Sequence, residues 1–402
     1  MSDLPTRLAT RFRGLERPRT LAAIVIGALA IDLVLMWYVG DRAYPDVYRA
    51  VEHGARLSQG AETPILNSKT VVGPVLWHRL YETGGLGLLR ATNVALLLGF
   101  LLAAYRLGRT RFGPGATAFG LFLIAYYPGT HRNVVAGEQD DMVAGLSVVL
   151  AAWAWLASRD GGDARSRSWA AALAGLSMGL GLLFKYWVGT FAAGLLLVLL
   201  LEKRWRDAGL FAACAAVPFA LLNFVDGLES YRSLVFSFQK QAGYTGWGEV
   251  GSKLFTTGLA LFLAGATIGW FRDRDPDRLV FLLVPLPYVA YVFLVRDAWA
   301  MTFVMMVAVS FWGMLVANEL LEGVRIRRHA SAVLAALALL YLLGTTAIAY
   351  RNLFTDTTTA DQYELGASGT ETWRSLRDQS VQHLDEVIDE NEARPVEAAH
   401  VS

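Results

Sequence analysis

The chain has 402 residues, of which 54% are hydrophobic and only 18% charged. Soluble domains carry roughly 25% charged residues, so an ordinary soluble architecture is excluded. The formal net charge of +1 provides no basic field with which to hold nucleic acid. The single cysteine, Cys214, lies in an apolar run and can form no intrachain disulfide.

Residues 1–19 carry Arg7, Arg11, Arg13, Arg17 and Arg19. The apolar run that follows at 20–39 is long enough to cross a bilayer, so it is read as a retained first helix behind a basic cytoplasmic N-terminus. Further apolar runs fall at 88–107, 115–130, 142–157, 168–184, 186–202, 208–224, 254–271, 279–295, 299–321 and 330–350. Backbone polar groups cannot be left bare in lipid, so these runs must be helices. The expectation is an all-α polytopic membrane protein with about 11 transmembrane helices, its membrane domain covering 20–350.

Charge sets the orientation. With the N-terminus inside, the short inner segments 108–114, 158–167, 203–207, 272–278 and 322–329 are all basic, as the positive-inside rule requires. The outer side then holds loops 40–87 and 225–253 and a polar tail, 351–402, with a predicted amphipathic helix near 370–391. The 168–202 division is the narrowest, since only Lys185 and Tyr186 separate two apolar runs; one bent helix is the alternative to a tight outer turn. Pro285 and Pro287 predict a kinked or broken ninth span. In the 225–253 loop, the Gly-Tyr-Thr-Gly-Trp-Gly stretch suits either interfacial anchoring or a ligand-facing loop.

Three groups of ionisable residues fall on the outer face. Asp41 and Asp46 follow the first span, in Gly-Asp-Arg-Ala-Tyr-Pro-Asp-Val-Tyr-Arg-Ala; they either cap and solvate a helix end or serve as a base. His131 and Arg132 precede Gly137-Glu138-Gln139-Asp140-Asp141 at the fourth span; they are either loop charges or an anion site, and the acids either a helix-start cap or acceptor ligands. Lys185 either snorkels or holds an anion, with Arg296 a more distant cation. Carboxylates able to take a proton and cations able to hold a phosphate on one face are what transfer from a lipid phosphate requires. The sequence has no HExxH, zinc-spaced Cys/His pair, P-loop or dinucleotide fingerprint, so it indicates no metal or other cofactor and argues against a cytoplasmic nucleotide-sugar enzyme.

Asp46-Val47-Tyr48-Arg49-Ala50, followed by a Gly-containing polar loop, resembles the opening of GT-C glycosyltransferases, in particular the polyprenyl-phosphate-mannose-dependent family 87 group. Gly137-Glu138-Gln139-Asp140-Asp141 is similar to that group's Gly-Gln-x-Asp stretch. Leu182-Leu183-Phe184-Lys185 is similar to its Lys-Pro stretch, with Tyr186 in place of the Pro. The resemblance covers residues 20–225. It implies a GT-C fold in the cell membrane with its site on the extracytoplasmic face, and inverting transfer of a hexose, mannose in that group, from a polyprenyl-phosphate donor to a glycolipid, lipid-linked glycan or protein. It further implies Asp46 as base with Asp41 in reserve and Tyr48 beside it. Lys185, His131 and Arg132 would lie at the donor phosphate, Asp140 or Asp141 would orient the acceptor or a cation one layer behind it, and Gln139 and Tyr48 would bind substrate. A transporter or flippase is the alternative; it predicts internal repeats and mid-span charges, and the sequence reading places charges at span ends.

Overall fold

The computed structural model describes residues 18–40, 45–60, 70–136, 139–160, 163–228, 230–232, 234–235, 259–273, 275–294 and 303–322, with isolated positions at 340, 343, 344 and 382. Asp41, the basic N-terminus, most of the 225–253 loop, almost all of the 330–350 run and nearly all of the tail lie outside them. The described residues are helical throughout, joined by short turns.

Helix α1 (Pro18–Val39) closes at Gly40, whose φ of +60° lets its N–H reach Met36 O at 2.9 Å. Helix α2 (Pro45–Ser58) lies within the stretch read as an open polar loop. Its periodicity explains it: Val47, Ala50 and Val51 recur at helical spacing and are buried together. Helix α3 (Val72–Arg111) starts far ahead of the second apolar run and bends at Gly84–Gly85, where Gly85 has φ +60° and ψ −158°. Only a residue without Cβ adopts that conformation cheaply.

The third apolar run, 115–130, divides into α4 (Pro114–Ala125) and a short α5 (Pro128–Ala136). Pro128 cannot donate a helical hydrogen bond and disfavours helical geometry at Tyr127. Helix α6 (Gln139–Ala157) is followed by a 3-10 turn, Ser158–Asp160. The narrowest division is two helices: α7 (Ala164–Leu182) and α8 (Val188–Leu201) flank a turn over 183–187. Helix α9 (Trp205–Val225) follows, then α10 (Leu259–Asp273). The ninth run is broken as its prolines predict, into α11 (Pro276–Leu283) and α12 (Leu286–Leu294), and Trp312 Nε1 of α13 (Phe303–Glu322) donates to Leu282 O at the break (3.1 Å). A side chain from a neighbouring helix thus supplies a donor where the backbone ladder is interrupted.

Helix α6 is central. It packs on α3, α5, α7, α8 and α13, and Met142, Val148, Trp155 and Leu156 are sealed within the main core. Helix α1 is peripheral, with Ile26, Leu33, Val34 and Trp37 exposed on a face suited to lipid. Four described helical segments, Arg19–Trp37, Val72–Arg111, Gln139–Ala157 and Trp205–Val225, are long and apolar enough to cross a membrane; α4 and α8 are apolar but shorter.

The segments assigned to the inner side meet at one end. Asp277 pairs with Arg111 and with Arg159 Nη1 (2.5 Å), and Arg159 also reaches Glu202 Oε1 (3.1 Å). Arg204 pairs with Asp207 (2.9 Å) and lies 4.4 Å over the ring of Trp155. The ends of α3, α6 and α8 and the starts of α9 and α11 are joined there.

Candidate active site

The segments assigned to the outer side converge as well. A second, smaller apolar cluster of Val47, Ala50, Val51, Trp77 and Leu89 fastens α2 to α3, and half-buried Tyr48, Tyr81, Val143 and Phe184 pack against it. That cluster brings together the helix that carries Asp46, the first turns of α6 and the turn that carries Lys185. Asp46 is the second residue of α2; its side chain is outside the described set. Tyr48 is part-buried and packs edge-on to Tyr81, with centroids 6.4 Å apart.

Gln139, Asp140 and Asp141 form the first turn of α6, where the helix dipole favours carboxylates, and all three are buried. Each is held. Gln139 Nε2 donates to Leu89 O (3.3 Å). Asp140 Oδ1 accepts from Trp77 Nε1 at 2.5 Å. Asp141 Oδ1 lies 3.2 Å from Lys185 Nζ. Gly73, a turn before Trp77, allows this approach: a Cβ there would come within 2.6 Å of Asp140 Oδ1.

Lys185 is 8% exposed. Its turn is fixed on three sides. Thr70 Oγ1 donates to Leu183 O, Phe184 packs on Trp77 with centroids 5.7 Å apart, and Tyr186 OH donates to Ser230 O at 3.0 Å. Tyr186, the residue that departs from the family pattern, thereby ties this turn to the start of the 225–253 segment. Gln139, Asp140, Asp141 and Lys185 are thus each held by a partner within the protein.

His131 is placed elsewhere. Its Nδ1 lies 2.5 Å from Asp32 Oδ1 of α1, and both side chains are sealed from solvent. This is a contact between α1 and α5, separate from the Lys185–Asp141 pair. Arg132 lies on α5, its side chain outside the described set. The structure thus joins Gln139, Asp140, Asp141 and Lys185 and sets Tyr48 on the adjoining cluster, but gives His131 another partner.

Sequence reasoning passed over Trp77, which no local motif marks, and noted Gly73 only with Pro74 as the reduced form of the family's Pro-rich element before the second span. It also passed over Asp32 and Arg90, which lie inside the first two apolar runs. A signal for these existed, since an ionisable residue within a span is costly and functional by default. Both charges are engaged internally, Asp32 with His131 and Arg90 with backbone carbonyls.

Neither a family model nor a curated protein matches the sequence. Solved structures do match the fold. ArnT from Cupriavidus metallidurans, bound to undecaprenyl phosphate, superposes with a TM-score of 0.54 at 15% identity, over 90% of this chain and 77% of that one. The apo oligosaccharyltransferase from Archaeoglobus fulgidus superposes with a TM-score of 0.52 at 13% identity, over 91% of this chain. This chain spans 60% of the oligosaccharyltransferase. Among the described residues the fold is therefore all-helical and of the GT-C type, as the resemblance implied, and its long apolar helices are those of a multi-pass membrane protein.

Proposed function

We propose that the protein transfers a hexose, mannose by the family resemblance, from a polyprenyl-phosphate donor to a glycolipid, lipid-linked glycan or protein on the extracytoplasmic face of the cell membrane. The supporting observation is the buried Asp141–Lys185 pair beside Trp77-held Asp140, packed against the helix whose second residue is Asp46, within a GT-C-type fold. That ArnT was solved with undecaprenyl phosphate supports a lipid-phosphate donor.

In the proposed reaction Asp46 takes the proton of the acceptor hydroxyl, and that oxygen attacks the anomeric carbon from the face opposite the phosphate. The new carbon–oxygen bond forms as the bond to phosphate breaks. Configuration inverts, and the lipid phosphate leaves with the bonding electrons. Lys185 holds the departing phosphate, exchanging part of its contact with Asp141 for the anion, and Arg132 is the second cation. We leave His131 with Asp32. Asp140 and Gln139 orient the acceptor, and Tyr48 supports the helix behind Asp46. Asp41 is the reserve base. The sequence carries no metal-binding motif, so the proposal includes no metal, and turnover measured in excess chelator tests that clause.

The deciding experiment is single-turnover transfer from a polyprenyl-phosphate sugar, with wild type compared against Asp46→Asn and Asp41→Asn. Asp46→Asn keeps size and hydrogen bonding but cannot accept the proton, so turnover falls roughly 10²–10⁴-fold while donor binding survives. A dead Asp41→Asn beside an active Asp46→Asn would move the base to Asp41. Full activity in both would remove the first-loop base and bring the transporter alternative forward.

A further inference from the structure

Arg90 lies in α3 inside the second apolar run and is 9% exposed. A guanidinium at that depth is tolerated where its donors are used within the protein. Nη1 donates to Gly40 O at 2.6 Å and Nε donates to Val135 O at 3.0 Å. Gly40 closes α1, and Val135 is the last residue but one of α5. Carbonyls at helix C-termini have no intrahelical donor and sit at the negative end of the dipole. One guanidinium therefore caps two helix ends.

The residues just beyond those two ends give the arrangement its meaning. Asp41 comes directly after Gly40, and α2 with Asp46 begins shortly beyond it. Gln139, Asp140 and Asp141 begin four residues after Val135. The same stretch of α3 also grips the α5–α6 side to either side of Val135, with Asn93 Nδ2 donating to Asn133 O (2.8 Å) and Leu89 O accepting from Gln139 Nε2 (3.3 Å).

We infer that Arg90 is a positioning residue for glycosyl transfer: a fork on α3 that fixes the spacing between the first-loop carboxylates and the acids of α6 by holding the backbone from which each departs. The inference rests on the glycosyl-transfer reading. The planar guanidinium can span two carbonyls at a set separation, whereas the single ammonium of lysine cannot reproduce that geometry.

The test uses full-length protein in lipid nanodiscs, as wild type, Arg90→Lys and Arg90→Gln, with two readouts. Hydrogen exchange is followed in peptides covering 36–50 and 132–141, with 106–114 and 155–168 as references at the other end. Steady-state transfer is followed with polyprenyl-phosphate mannose. Both variants are expected to raise exchange in the two outer segments together and leave the references unchanged. They are expected to lower kcat roughly 10–100-fold, the scale of small misplacements of reacting groups, with the donor KM within about twofold of wild type. Unchanged exchange, a rise in one outer segment alone, a rise that includes the references, or wild-type kcat in both variants would overturn the fork. Should wild type itself transfer no sugar from any polyprenyl-phosphate donor, the glycosyl-transfer reading fails, and with it the catalytic half of this inference. The exchange readout would still decide whether Arg90 couples the two segments.

Discussion

Lys185 is where a bland and a functional reading of one residue part. A snorkelling lysine lays its stem along apolar surface and puts its ammonium into water. Lys185 turns inward, is 8% exposed, and places Nζ 3.2 Å from a carboxylate that is itself buried. Removing one partner of such a pair leaves the other as an uncompensated buried charge. Lys185→Ala is therefore expected to lower both stability and use of the donor. The loss of a charge-assisted contact, about 1.5–3 kcal/mol, corresponds to a roughly tenfold to hundredfold loss of donor affinity. The double variant Lys185→Ala/Asp141→Asn separates the two effects. Thermal unfolding should return toward wild type, while the donor dependence of transfer stays impaired. Unimpaired donor dependence in both would assign Lys185 to holding the fold alone.

At the scale of elements, the molecule is fastened at two ends by different means. The end assigned to the outside relies on a small apolar cluster, on single hydrogen bonds and on one buried ion pair, Lys185–Asp141. The other end relies on a network of charges: Asp277 at the start of α11 accepts from arginines at the end of α3 and just beyond α6. Arg111 is nearly buried, with 8% of its side chain accessible, and Asp277 is partly accessible at 21%. The cost of removing Asp277 thus falls between that of an exposed pair and that of a buried one. Asp277→Ala should destabilise the protein by about 2–3 kcal/mol and, being remote from the site, leave the donor KM unchanged. Detergent-resistance or chemical unfolding checks the first part and steady-state kinetics the second. A neutral result in unfolding would reduce this network to surface decoration.

For the whole molecule, the alternation of basic and non-basic connections makes a prediction that the fold alone does not test. In a Cys214→Ala background, an impermeant thiol reagent applied to intact cells should label an engineered cysteine at Ser58 or Thr358 and spare one at Ser166. Ser58 and Ser166 are both exposed, so a difference between them reports sidedness rather than burial. Labelling at Ser166 would invert the orientation and carry the site to the other face. The likeness to ArnT and to the archaeal oligosaccharyltransferase, at TM-scores of 0.54 and 0.52, is a likeness of helical framework at 13–15% identity. It does not decide orientation.

Composition and periodicity by themselves determined that this chain is helical and membrane-embedded. The reason is that lipid leaves the backbone no other way to satisfy its polar groups. They also determined where the ninth run breaks, since Pro285 and Pro287 remove donors whatever surrounds them, whereas only the structure decided that Lys185 lies in a turn between two helices. The Asp-Val-Tyr and Gln-Asp-Asp stretches were legible as motifs, and Gln139, Asp140, Asp141 and Lys185 do meet. Which charge pairs with which was decided only by tertiary structure. His131 and Lys185 look alike in sequence as loop cations next to apolar runs, yet one is sealed against Asp32 and the other against Asp141. Trp77 and Arg90 gain their roles from partners dozens of residues away. Helix α2 was hidden for a related reason: its apolar stripe is narrow and is buried against α3, a surface that exists only once the chain has folded.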